Sequence, residues 1–140
     1  MDYEFAPDVR RPARYLGSEL HAARSPKRND LRIGLAFPDL YEVGMSHLGL
    51  SILYHCLNRT PGLFSERVFM PDADLENILR HRGIALTTLE TKMPVHKLDV
   101  LGFSLAYELT YTNVLGILDL GGIPLRSSQR SRGHPLVIAG

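Results

Sequence analysis

The stretch LRIGLAFPDLYEVGMSHLGLSILYHCL, residues 31–57, predicts the first strand, the first loop and the first helix of the fold. LRIGLAF is almost continuously apolar, which is typical of a parallel strand that is buried on both faces. After a polar loop, Ser46 is a suitable N-cap. The residues expected on the buried face of the following helix are Leu48, Ile52, Leu53, Cys56 and Leu57. This strand–loop–helix order is the beginning of an α/β fold.

The same alternation of strands and helices continues along the chain. Further strands are expected at residues 67–70, 84–90, 99–105 and 135–140, and helices between Asp72 and Gly83 and at residues 108–120. We therefore predict a three-layer α/β/α Rossmann-like domain with a mainly parallel sheet of about five strands. The strands at 31–37 and 99–105 are expected to be central, in either a Rossmann-like or a flavodoxin-like order.

Composition excludes several classes of function. The chain has 140 residues, 44% of them hydrophobic, and a net charge of +1, so neither an anionic membrane surface nor tight nucleic-acid binding is indicated. Its apolar runs are too short to span a bilayer, and the N-terminus lacks the apolar core of a secretory signal. Cys56 is the only cysteine, which excludes disulfides within the chain and metal sites built from several thiolates, and which favours the cytoplasm.

Two regions of the chain differ in character. Residues 1–30 contain Pro7, Pro12 and Pro26, many charges and no sustained apolar period, so they are predicted to form an arm that packs on the domain at 31–140. Because the arginines of the arm are interleaved with acids, a solvated arm is favoured over an anion site. The chain ends on a strand, and a buried parallel strand needs helices on both faces, so we expect a domain truncated before a further part of the protein.

Two polar loops are candidate binding sites, because ligands of open α/β sheets bind beyond the carboxyl ends of the strands. The candidate residues are Asp39, Tyr41, Glu42, Gly44 and His47 after the first strand, and Ser104, Tyr107 and Glu108 after the strand at 99–105. The same polar groups are equally suited to capping helices and bonding loop amides. Neither a Gly-x-Gly-x-x-Gly loop nor a Walker motif is present, and no catalytic or metal-ligating set is predicted.

Long segments of the chain resemble the N-terminal region of a bacterial family of radical SAM proteins. The segments that carry the resemblance are PARYLGSEL, FPDLYEVGMSHLGLSILYHCLN, ERVFMPDADLENILR, LETKMP, DVLGFSLAYELTYTNVLGILDLGGIPLR and PLVIAG. In that family the region is similar to a cobalamin-binding domain that precedes a radical SAM barrel. The resemblance implies that the parent protein binds an iron–sulfur cluster and S-adenosylmethionine in that barrel, its partner within the same polypeptide. With one cysteine, this chain cannot hold the cluster itself.

The resemblance to a cobalamin-binding domain lacks one motif. Cobalamin domains that ligate cobalt through a histidine carry Asp-x-His-x-x-Gly, and alignment on His47 places Met45 at the aspartate and Leu50 at the glycine. Either cobalamin binds without a histidine ligand, or the domain keeps the fold without the cofactor. In the second case the crevice is expected to bind a substrate such as RNA, or a protein partner.

Overall fold

The fold is a doubly wound sheet of parallel strands, described by a computed structural model over residues 6–24, 26–28 and 30–140. The strands are β1 (Leu31–Phe37), β2 (Leu63–Phe69), β3 (Val100–Phe103) and β4 (Leu136–Ala139). They lie in the order β2-β1-β3-β4, and every pair is parallel. The α/β prediction is confirmed, and so is the central position of the strands at 31–37 and 99–105. The sheet contains four strands in the described part of the chain, one fewer than predicted.

The described residues also form four α-helices and several 3-10 turns. The helices are α1 (Tyr41–Met45), α2 (Leu48–Arg59), α3 (Ala73–Arg82) and α4 (Tyr111–Leu120). The 3-10 turns cover Ala6–Asp8, Pro12–Tyr15, Val95–Lys97, Glu108–Thr110 and Ser127–Gln129. Helix α3 begins and ends as its sequence predicts. The Asp72 carboxylate accepts a hydrogen bond from the amide of Ala73, and Gly83 takes the left-handed conformation with φ of 63°.

Helices cover both faces of the sheet. Successive side chains of a strand point to opposite sides, so the strands contribute to one apolar cluster on each face. Leu35 and Phe37 of β1 pack with Leu50 and Tyr54 of α2 on one face. Ala36, between them in sequence, belongs to a second cluster on the other face. That cluster includes Val68, Leu75, Leu79, Leu101, Phe103, Ile117 and Leu118, so α3 and α4 cover this face. The domain therefore has the three predicted layers.

The predicted strand at residues 84–90 is wrong. This segment is irregular and makes one isolated antiparallel bridge, between Thr87 and Pro94. Proline has no amide hydrogen to extend such a ladder. Between the two, Lys92 adopts a φ of 60°, which turns the chain away from the sheet. A single backbone hydrogen bond, from the Leu89 amide to the Arg67 carbonyl, connects the described part of this segment to β2.

The helix after β1 exists, but of the five residues predicted on its inward face only Leu57 packs against the core. Leu50 and Tyr54 are buried, whereas Leu48 is 73% exposed and Ile52 53% exposed. Cys56 is also exposed, not part of the core. The reason is that apolar residues lie nearly all round α2, so the sequence allows either of two faces to pack on the sheet. Tyr54 determines which face is buried. Its hydroxyl accepts a hydrogen bond from the Ala23 amide, and the Arg67 guanidinium lies 4.6 Å from the centre of its ring.

Candidate functional site

The loops after β1 and β3 meet at the carboxyl edge of the sheet. These two strands are neighbours in the sheet. The chain leaves β1 toward β2 on one side and leaves β3 toward β4 on the other side. The crevice between their loops is therefore the switch point where doubly wound sheets bind ligands. Across it, the Tyr107 hydroxyl donates a hydrogen bond to the Asp39 carboxylate. Asn113 of α4 donates to the Pro38 carbonyl at 3.0 Å. These two hydrogen bonds join residues that are separated by 68 and by 75 positions in the sequence.

The Asp39–Tyr107 pair is exposed and electrostatically coupled. The hydrogen bond to the carboxylate raises the pKa of Tyr107, because ionising the phenol would place two negative charges together. The second oxygen of Asp39 accepts from the Leu40 amide at 2.7 Å, which fixes the orientation of the carboxylate. A phenol held by an oriented carboxylate is suited to hydrogen-bonding a polar ligand group at the mouth of the crevice.

Ser104 and Glu108 lie on either side of Tyr107 in the chain segment that follows β3. The Ser104 amide donates to the Ala36 carbonyl at 2.9 Å, which continues the bonding between β3 and β1 for one residue beyond the strand. Glu108 begins the short 3-10 turn after Tyr107 and is exposed. Of the predicted site residues, Asp39, Ser104, Tyr107 and Glu108 are therefore gathered at the crevice.

Tyr41 and Glu42 point away from the crevice, toward the arm. The Tyr41 hydroxyl donates to Glu19 at 2.9 Å, and burial raises its pKa to about 12. Glu42 accepts from the guanidinium of Arg14 at 2.7 Å and from Arg11 at 3.2 Å. The bond from Arg14 lowers the pKa of Glu42. These two residues hold the arm on the domain.

Gly44 and His47 have roles in packing and capping. A Cβ atom on Gly44 would lie 2.5 Å from Cδ1 of Phe69, so only glycine lets α1 approach β2 this closely. His47 is the N-cap of α2, and its Nδ1 accepts the Leu50 amide at 3.2 Å. Its ring packs on Phe37, with centroids 4.9 Å apart. The structure therefore uses both residues to build the first loop.

Sequence reasoning missed a network of buried charges along β2. Glu66 is fully buried, and its Oε1 accepts from the Thr88 hydroxyl and from the amide and hydroxyl of Thr91 at 2.6–2.9 Å. Its Oε2 has no hydrogen-bond partner among the described residues and lies 3.7 Å from Nη1 of Arg32. Neighbouring Arg67 pairs with Glu90 at 2.6 Å. The sequence ERVF shows two adjacent charges within an apolar strand, and this is the signal that could have drawn attention to the network.

The side chain of Arg14 joins the arm to two loops at once. It is 8% exposed, and it bonds to Glu42 after β1 and to Asp72 at the start of α3. Tyr15 adds a hydrogen bond from the Asp72 amide to its hydroxyl at 3.2 Å. In the part of the chain that the structure describes, the arm therefore packs tightly on the domain.

Two negative findings concern the described residues alone. Within residues 6–24, 26–28 and 30–140, no three histidine, cysteine or acidic side chains are grouped so as to hold a metal ion. None of the helices in these ranges has the length and apolar character needed to cross a membrane.

Comparison with known proteins gives one match. The family model described as radical SAM proteins, N-terminal, matches residues 49–140, which include α2 and every later element. No curated protein and no solved structure matches the chain. The matched range includes one of the two loops at the crevice, that of Ser104, Tyr107 and Glu108. Because the match covers well over half of its length, the chain belongs to the family of N-terminal domains of radical SAM proteins.

Proposed function

We propose that this domain is an accessory module that packs on the catalytic domain of a radical SAM enzyme in the same polypeptide and presents the Asp39–Tyr107 crevice to it. The family assignment supports an accessory role, since it describes an N-terminal domain of radical SAM proteins. The chain offers no cysteine set for an iron–sulfur cluster, so the radical chemistry belongs to the catalytic domain.

The observation that carries this proposal is a set of exposed apolar side chains around the crevice, which we call the carboxyl-edge patch. It consists of Val43, Leu48, Tyr107, Leu109 and Tyr111. Leu109 is 86% exposed and Leu48 73% exposed. Large apolar side chains grouped at one edge, with polar groups among them, are characteristic of surfaces that contact another domain.

The cobalamin version of this proposal has to do without a histidine ligand. Because His47 Nδ1 accepts the Leu50 amide, the neutral ring carries its proton on Nε2. A protonated Nε2 has no lone pair for a metal, so His47 would have to give up the helix cap to ligate cobalt. The residues present therefore do not fit a histidine-ligated corrinoid. We propose that the crevice faces the catalytic domain of the same polypeptide and holds no histidine-ligated corrinoid.

Hydrogen exchange tests the docking surface. In the longer polypeptide that carries the catalytic domain, amides of residues 106–111 should exchange about tenfold more slowly than in the 140-residue chain, which corresponds to about 1.4 kcal/mol of added protection. Leu109→Ser should abolish this difference, and Leu20→Ser in the arm, at a site 92% exposed, is the matched control. Equal exchange with and without the catalytic domain would contradict the proposal.

A corrinoid titration tests the ligand. Hydroxocobalamin added to the longer polypeptide should give no change in its visible spectrum that depends on His47. A spectral change that is lost in His47→Ala, while Ser46→Ala leaves it intact, would show histidine ligation and refute our interpretation of the first loop.

A further inference from the structure

A second site lies away from the crevice, beneath the arm. A partly open cavity of about 100 Å³ is lined by the arm, by the end of β2, by α3 and by the irregular segment at 84–92. Most of its lining is apolar and includes Val9, Pro12, Leu75, Leu79, Ile84 and Leu86. Neither Asp39 nor Tyr107 lines it. It is therefore independent of the site proposed above.

The charges on the wall of this cavity are all of one sign. Among the described residues, the lining contains Arg14, Arg67 and Lys92 and no acidic side chain. The two arginines are already paired with carboxylates, Arg14 with Glu42 and Arg67 with Glu90. Lys92 is different. No carboxylate of the described chain lies within ion-pair distance of it, although Glu90, Glu19 and Glu66 are near enough to act against the lowering of its pKa by burial.

Lys92 is held in place by the protein backbone. Its Nζ donates to the carbonyls of Tyr15 and Leu89, both at 2.6 Å, so one of its three hydrogens remains for another acceptor. Its own backbone has φ of 60°, a conformation that costs about 1 kcal/mol for a residue with a side chain. Burial lowers the pKa of Lys92, because the charged ammonium loses part of its hydration there. A desolvated cation with a free donor favours an anionic partner.

From this geometry we infer that the cavity binds a small carboxylate with a branched apolar body, the apolar part against Leu75, Leu79 and Leu86 and the carboxylate on Lys92. Apolar walls with a small number of polar groups are the usual composition of small-molecule sites. The arm forms one wall of the cavity, with Arg14, Tyr15 and Pro12. A bound ligand should therefore also hold the arm on the domain.

Amide chemical shifts from NMR titration test this inference with 3-methylbutanoate as the probe and 3-methylbutanamide as its uncharged analogue. The carboxylate should bind with a dissociation constant on the order of 1 mM, as expected for so small a ligand. The shifts should be confined to residues that line the cavity. 3-Methylbutanamide should bind about tenfold more weakly than the carboxylate, because it cannot form a charge-assisted hydrogen bond to Lys92. Equal affinity for the two, or shifts confined to the surface outside the cavity, would overturn the inference.

Two variants separate the anchor from the walls. Lys92→Met should weaken carboxylate binding about tenfold and leave amide binding unchanged. Ala85→Leu places a larger side chain in the lining and should abolish binding of both ligands, which keeps the test valid if Lys92→Met is unstable. Lys97→Met, an exposed lysine that does not line the cavity, is the control and should bind the carboxylate normally. Unchanged carboxylate binding by both cavity variants would refute the site.

Discussion

Replacing Gly44 by alanine tests how the loop after β1 is built. Helix propensity alone predicts that Gly44→Ala in α1 stabilises the domain by about 1 kcal/mol. The structure predicts the opposite. The new Cβ would lie 2.5 Å from Cδ1 of Phe69, closer still to its Cε1, and 3.2 Å from Cβ of Phe37. Since carbon atoms in contact prefer separations of about 3.5–4.0 Å, the Phe69 ring would have to retreat by about 1 Å or more.

The surroundings of Phe69 leave little room for that movement. Its ring is 9% exposed and packs edge-on against Tyr41, with centroids 5.7 Å apart. Overpacking of this kind costs about 1–3 kcal/mol, and we expect the upper end because both neighbours are aromatic. Subtracting the propensity gain of about 1 kcal/mol leaves a net loss of about 2 kcal/mol. For a domain of this size that is a fall in Tm of about 8 °C.

Thermal unfolding followed by circular dichroism measures this loss. Gly102→Ala is the control, because its Cβ would lie 3.6 Å from Ile138 in ordinary contact, and its Tm should stay constant or rise. Phe69→Leu should relieve the clash, so the double variant with Gly44→Ala should lose less stability than the two single variants added together. A Tm for Gly44→Ala equal to or above that of the parent chain would refute the reasoning.

Three further predictions concern caps and charges. Gly83→Ala should lower the free energy of unfolding in urea by about 1 kcal/mol. The effect is one of backbone conformation, because φ is 63° and the new Cβ meets no described atom within 4 Å beyond its chain neighbours. An unchanged urea midpoint would contradict this. Asp39→Asn should return the pKa of Tyr107 from its raised value toward 10.0, measured by carbon-13 NMR of the ring, and an unmoved titration would show that the hydrogen bond is absent in solution. Arg14 lowers the pKa of Glu42, so this pair stabilises the fold above the ordinary value of 4.5 and the stabilisation is lost as pH falls through the lowered pKa. Arg14→Met should therefore reduce the loss of Tm between pH 6 and pH 3, and an equal loss in both proteins would argue against the pairing.

Features that depend on neighbouring residues could be predicted from the sequence. Asp72 and Gly83 mark the ends of α3 because an N-cap and a left-handed C-terminal residue act on amides a few positions away. The apolar run at 31–37 indicated a strand buried on both faces, and β1 is central in the sheet. The order of strands and helices follows from the same local signals.

Features that depend on distant residues could not be predicted from the sequence. The segment at 84–90 has the composition of a strand, but only the turn at Lys92 and the position of Pro94 determine that it leaves the sheet. The inward face of α2 was wrong because its period allows two faces, and the contact of Tyr54 with the arm selects one. The role of Tyr41 and Glu42 was open for the same reason, since their partners Glu19 and Arg14 lie 22 and 28 positions away.

The sequence by itself determined the α/β class, the ends of α3, the two polar loops and the family of the chain. Only the tertiary structure decided that Asp39 meets Tyr107 across the crevice, that His47 caps α2, and that the arm forms one wall of a cavity beside Lys92. The physical reason is the distance along the chain over which each interaction acts. Caps, turns and apolar runs act within a few residues, whereas a site is made by side chains that the sheet order brings together from distant parts of the chain.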